Sequence, residues 1–208
     1  ASLKGNEFDL SGILDNTILM TDSMKAVSFV DNHDSQHGSA LESQIESWFK
    51  PHAYAIILLS EKAYPCLFYG DYYGTGGEES PHRWIIDQLL YARRNNAYGE
   101  QVNYFDNPNI IAIYRRGKAD DGNTGCIAVL SNDVPGEKEI DLGKHKTGQV
   151  WKEITGSGFE NIVINEDGKG IFKVEGKKIS VWIPDRKQNE ENFREEFRNR
   201  ILGMFNRE

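Results

Sequence analysis

Apolar and polar positions along the chain divide it into three regions. Residues 25 to 97 alternate short apolar runs with helical stretches, 102 to 184 read as strands separated by turns, and the tail beyond Pro184 is charged. Lys25 to Asp31 holds Ala26-Val27-Ser28-Phe29-Val30, a run suited to a strand buried on both faces. Ser39-Ala40-Leu41-Glu42 matches a capping box, with Leu41, Ile45, Trp48 and Phe49 following at helical spacing. Pro51 forbids an unbroken helix but fits the first turn of a new one, so a second helical piece is predicted from Pro51 to Ser60. Cys66-Leu67-Phe68-Tyr69 reads as the next strand, and Trp84, Ile85, Leu89 and Leu90 mark a helix to about Asn96. Strand, helix, strand, helix is the signature of a parallel α/β unit.

Beyond Gln101 the period shortens. Ile110–Tyr114, Cys126–Leu130, Ile140–Leu142, Val150–Ile154, Ile162–Ile164, Ile171–Val174 and Ile179–Ile183 are candidate strands, spaced by turn signals such as Asp120-Asp121-Gly122-Asn123 and Glu166-Asp167-Gly168. Such spacing predicts a small antiparallel sandwich or barrel. In the tail, Phe193, Phe197 and Ile201 recur every fourth residue and predict an amphipathic helix docked on its own protein. Two parallel strands and two helices neither close a barrel nor cover a sheet. The α/β part therefore reads as incomplete, and the chain as the carboxy-terminal piece of something larger.

Charge and cysteine usage narrow the function classes. With 24 basic against 32 acidic side chains the net charge is −8, which leaves no cationic excess for nucleic acid or an anionic membrane. The longest apolar run, Ala53 to Leu59, is far shorter than the roughly 20 residues that span a bilayer. Cys66 and Cys126 lie in apolar surroundings without Cys-x-x-Cys spacing, which predicts two buried free thiols and a cytoplasmic location. The start Ala1-Ser2-Leu3 decides nothing about targeting.

The densest polar cluster, Asp31-Asn32-His33-Asp34-Ser35-Gln36-His37, follows directly on the first strand. Functional groups of parallel α/β barrels gather at the carboxyl ends of strands. Three readings stay open there: a site facing the barrel mouth, an Asx turn that caps the next helix, and a metal pair from His33 and His37, against which Gly38 and the loop character argue. Gly74-Thr75-Gly76-Gly77 lacks the residues of a phosphate-binding loop.

These same residues carry a family likeness. Phe29-Val30-Asp31-Asn32-His33-Asp34 resembles the fourth conserved region of the α-amylase family of glycoside hydrolases, and Tyr64-Pro65 through Phe68-Tyr69-Gly70-Asp71 its eighth barrel strand. Trp48-Phe49-Lys50-Pro51 and Tyr69-Gly70-Asp71-Tyr72-Tyr73-Gly74 look like the bacterial liquefying-type members. The likeness continues through Tyr104-Phe105-Asp106 and Trp151-Lys152-Glu153-Ile154-Thr155-Gly156, spanning about residues 6 to 184.

The resemblance implies an α/β plus all-β fold: the last two β/α units of a (β/α)8 TIM barrel over 1–101, an antiparallel Greek-key β-domain over 102–184, and a terminal helix over 185–208. It implies endo-hydrolysis of α-1,4-glucosidic bonds of starch or glycogen with retention of configuration. By the same resemblance Asp34 is the transition-state carboxylate that grips ring hydroxyls, and His33 hydrogen-bonds the same sugar. Tyr72 and Tyr73 are candidate stacking residues for substrate, with packing under the barrel mouth as the alternative. The family's nucleophile and acid/base lie on strands absent from this chain, so the chain alone is expected to be inactive. The family's calcium is expected in the parent through upstream residues. A further calcium can bridge barrel and β-domain, but Asn109 and Asn132 put amides where carboxylates would be expected. Expected partners are the glucan, the missing barrel half and a second copy of the chain, with no nucleic acid or membrane. The rival reading is a non-catalytic glucan-binding or structural module.

Overall fold

The computed structural model describes residues 1–62 and 64–205, with side chains of the last helix described through 195 and at 198. After two short 3-10 turns come α1 (Ile18–Thr21), β1 (Val27–Phe29), α2 (Lys50–Leu59), β2 (Tyr64–Cys66), α3 (Tyr69–Tyr73) and α4 (Arg83–Asn95). β1 and β2 pair in parallel, Val27 opposite Tyr64 and Phe29 opposite Cys66. Pro51 stands in the first turn of α2, where its missing N–H leaves no helical bond unmade.

Three local expectations are corrected. The second strand lies at Tyr64–Cys66 rather than Cys66–Tyr69, and Tyr69 opens a helix instead. Tyr64 N–H donates to Ala26 O at 3.0 Å, so by alternation Pro65 turns its missing donor away from β1 and is tolerated within the strand. The helix expected from Ser39 is absent, and residues 42–46 carry no regular structure. Both supposed capping side chains face backward: Ser39 Oγ donates to Asp34 O, and Glu42 accepts from Gly38 N–H at 2.9 Å. Finally, β1 is not buried on both faces. Val27 is 59 % and Phe29 54 % exposed, and their partners Tyr64 and Cys66 are exposed beside them. α2 packs against β1, while Val27 and Phe29 remain more than half exposed. Cys66 is therefore an exposed thiol; Cys126 is buried, and both are free.

The rest is a β-sandwich. β3 (Gln101–Tyr104), β4 (Ile110–Arg115), β5 (Cys126–Ser131), β6 (Gly136–Asp141), β7 (Val150–Glu153), β8 (Ile162–Val163), β9 (Lys169–Val174) and β10 (Ile179–Pro184) all pair antiparallel. Six form one sheet in the order β3-β4-β5-β10-β7-β8, and β6 pairs with β9 in a second. The central strands are apolar at nearly every position because both faces of the large sheet are covered. Ile111, Ile113, Ala128, Leu130, Val181 and Ile183 join the core shared with α2 and α4. The alternate positions Tyr114, Ile127, Val129 and Trp182 meet Ile140 and Phe172 of the second sheet, along with Trp151.

α5 (Arg186–Phe205) is pinned at its start by Asn189, whose side-chain amide accepts from Val150 N–H at 2.7 Å and donates to Val150 O at 3.1 Å. Phe193 is exposed, while the side chains of Phe197 and Ile201 lie outside the described residues. No helix among the described residues is long and apolar enough to cross a membrane.

His52 ties α2 to the sandwich. Its ring is fully buried, stacks on Phe49 at 5.0 Å, and its Nε2–H donates to Ser131 O at 2.8 Å. Burial lowers its pKa to about 4. The unfolded chain therefore binds the extra proton first as pH falls, and stability is lost between about pH 6.5 and 4. That one group contributes about 3 kcal/mol to the acid sensitivity. Thermal melts of wild type and His52→Gln across this range check it: the variant's stability is expected to fall less steeply, and parallel profiles would contradict the assignment.

Candidate functional site

The chain leaves β1 through Val30 and Asp31, both buried. Asp31 is held from three sides: Lys50 Nζ lies 2.9 Å from Oδ2, while Ser35 Oγ at 3.2 Å and Ile45 N–H at 3.3 Å donate to Oδ1. Lys50, the first residue of α2, also pairs with the buried Asp71 of α3, and Tyr54 O–H donates to Asp71 Oδ2 at 2.6 Å. A buried carboxylate–ammonium–carboxylate bridge thus fastens the loop after β1 to the helix after β2. The pairing spans 21 residues, and local pattern gave no notice of it beyond Lys50 and Asp71 standing inside the two family-like motifs.

Asn32 builds the turn. Its Oδ1 accepts from the N–H groups of Asp34 and Ser35, each at 2.9 Å, and Ser35 Oγ accepts from Asn32 N–H at 3.0 Å. The turn half of the Asx reading therefore holds for Asn32, with no helix directly after it to cap, and it stands alongside an outward-facing pair. His33 and Asp34 project from the turn with side chains 81 % and 60 % exposed, His33 Nε2 lying 3.4 Å from Asp34 Oδ1. Asp34 lends its N–H and C=O to the loop, while its carboxylate meets only the neighbouring imidazole among the described contacts. A carboxylate so placed can accept two hydroxyl donors, and the imidazole can present one N–H.

His37 does not join them. Its Nδ1 meets Glu42 Oε1 at 2.7 Å, and that hydrogen bond raises its pKa. No group of three metal-ligating side chains exists among the described residues. The glycine run also has a local cause. Gly74 has φ +96°, and a Cβ there would lie 1.8 Å from Glu78 O, so this glycine closes a turn.

α3 starts three residues past β2, and parallel strands send both loops from the same end of the sheet. Tyr72 and Tyr73 stand there in edge-to-face contact at 4.7 Å. Tyr72 is half-buried, its O–H donates to Asp87 of α4 at 2.6 Å, and the Arg83 guanidinium lies 5.3 Å from its ring centre. Its hydroxyl is engaged in packing; Tyr73 is the more exposed ring. No described contact joins either tyrosine to His33 or Asp34. Beside the bridge opens a cleft of about 200 Å³, lined by Gln44, Lys50, Asp71, Glu78, Glu79 and His82. Burial, then the charge of Lys50, lowers the pKa of His82, whose Nε2 lies 3.0 Å from Ser47 Oγ.

A fold similar to this one occurs in an α-amylase structure from Anoxybacillus. That structure matches 76 % of this chain, and 37 % of its own, with a TM-score of 0.53 at 16 % identity, a likeness of fold alone. In sequence, the chain is 44 % identical over 184 residues to a glucan 1,4-alpha-maltohexaosidase of Bacillus sp. (strain 707), covering 88 % of this chain and 36 % of that protein. It is 43 % identical over 185 residues to an alpha-amylase of Geobacillus stearothermophilus, covering 88 % of this chain and 34 % of the relative. No protein-family model matches. Over most of its length this chain is related to bacterial α-amylases, and it spans about a third of the curated relatives it matches.

Proposed function

We propose that this chain is the carboxy-terminal part of an α-amylase-type glycoside hydrolase, which cleaves internal α-1,4-glucosidic bonds of starch or glycogen with retention of configuration. Residues 1–101 supply the last two β/α units of a (β/α)8 barrel, 102–184 a Greek-key β-domain and 185–208 a terminal helix. The observation that carries the reading is the Asp34 carboxylate, fixed at the carboxyl end of a parallel strand yet left out of the turn's own bonds. Supporting it, the exposed face of Val27, Phe29, Tyr64 and Cys66 is apolar, as an inward barrel face would be once further strands cover it.

In this reading a glucose ring lies against Asp34 and His33. Retaining glycosidases pass through an oxocarbenium-like transition state, and hydrogen bonds to the ring hydroxyls tighten there. Asp34 supplies acceptors and negative charge, His33 a donor, and Tyr73, with Tyr72 behind it, a ring face. Nucleophile and acid/base come from strands outside these 208 residues, as do the residues that hold calcium. The glucan and the remaining barrel are the partners, self-association through the open face is the state of the chain alone, and two free thiols favour the cytoplasm.

The test is a chimera in which this chain replaces the matched third of the Geobacillus stearothermophilus α-amylase. The chimera is expected to release reducing ends from soluble starch, and the isolated chain is not. An isolated chain that is retarded in starch gels, with an inert though folded chimera, would favour a glucan-binding module instead.

A further inference from the structure

The joint between the opening segment and the sandwich is made by two asparagine side chains. Asn132, fully buried, donates through Nδ2 to Gly5 O at 2.9 Å and to Phe8 O at 2.8 Å. Asn109 donates through Nδ2 to Asn6 O at 2.9 Å and to Asn132 Oδ1 at 2.9 Å. All four amide protons are used. Two backbone bonds run alongside, Asn132 N–H to Asn109 O at 3.1 Å and Leu10 N–H to Pro108 O at 2.7 Å. The amide orientation is dictated by the surroundings, because turning either group over would set oxygen against carbonyl oxygen.

Three main-chain carbonyls and one side-chain oxygen converging on a small volume is the beginning of a hard-cation site, which calcium completes with carboxylates at about 2.3–2.6 Å. Here the volume is occupied by N–H donors, and the set of Gly5, Asn6, Phe8, Asn109 and Asn132 groups carries no charge. The donor set does not fit calcium. We propose that this joint is a metal-free clasp, in which asparagine N–H groups occupy the place a divalent cation would need, and that a single amide-to-carboxylate change at 132 would turn it into a calcium site. With aspartate at 132, two donors become an oxyanion facing Gly5 O and Phe8 O. That arrangement is repulsive when empty and attractive to a cation.

Thermal melts of the 208-residue chain in calcium and in EDTA decide the matter, without substrate, so the outcome is independent of the hydrolase reading. Asn132→Ala is expected to melt about 5 °C below wild type, by the same margin in both buffers. Asn132→Asp is expected to gain about 5 °C or more from calcium beyond any response of wild type. A margin between wild type and Asn132→Ala that widens in calcium would show that the native joint uses the ion, and would overturn the proposal. So would an Asn132→Asp chain that folds but responds to calcium no more than wild type, since its oxygens would then not converge.

Discussion

Asp34→Asn in the starch-cleaving chimera is expected to lower kcat/KM by about a thousandfold, the equivalent of about 4 kcal/mol of transition-state stabilisation. The amide keeps the shape and one acceptor, but it loses the charge that faces the developing oxocarbenium ion and offers a donor where the ring hydroxyls need acceptors. The loss is expected in kcat more than in KM, because the tightened bonds belong to the transition state. The melting temperature is expected to stay within about 1 °C, since exposed side chains outside structural bonds have little effect on stability. Asn32 and Ser35 hold the turn whichever residue stands at 34. Asn32→Ala should do the reverse, loosening the turn and lowering stability first. Unchanged turnover in a folded Asp34→Asn chimera would remove the catalytic role and leave a binding or structural module.

The sandwich was legible in the sequence wherever a strand was apolar on both faces. Runs such as Cys126–Ser131 and Ile179–Pro184 are buried throughout, so their signal is continuous and their bounds fall within a residue of the expectation. Gln101–Tyr104 went unread because it is a four-residue edge strand, half-buried at best, without an apolar run. At Ser39–Glu42 the local signature was real but ambiguous. Serine and glutamate cap whichever donors and acceptors are nearest, and here those belong to the preceding loop. In the candidate site, the turn at Asn32 was legible because Asx chemistry acts over two or three residues, whereas Asp34 was singled out by the family likeness of Phe29 to Asp34 and not by local pattern. The Lys50 bridge was not legible, because nothing within a few positions of Lys50 reveals that Asp31 and Asp71 arrive on either side of it.

That bridge carries the largest expected effect on stability. Lys50→Met removes the ammonium between two buried carboxylates and leaves Asp31 and Asp71 facing each other with little solvent to screen them. Removing one partner of a buried ionic set costs about 3–5 kcal/mol, which for a chain of this size lowers the melting temperature by roughly 10 °C. Burial alone would pull the Lys50 pKa down, but the hydrogen bonds and charges of Asp71 and Asp31 outweigh it and raise the pKa overall. A raised lysine contributes stability that is present below the unfolded value and is lost only as pH climbs past the folded one, so the bridge is intact throughout the neutral range. Tyr54, pushed up by burial and by Asp71, stays protonated and keeps donating. The cost in Lys50→Met is therefore uncompensated charge rather than lost packing, since methionine fills a similar volume. Combining it with Asp31→Asn and Asp71→Asn should recover most of the lost stability, because neutral amides share the site without repulsion. A single variant melting within about 2 °C of wild type would mean that the loop after β1 is held by other contacts. A triple variant no more stable than the single would assign the cost to packing instead.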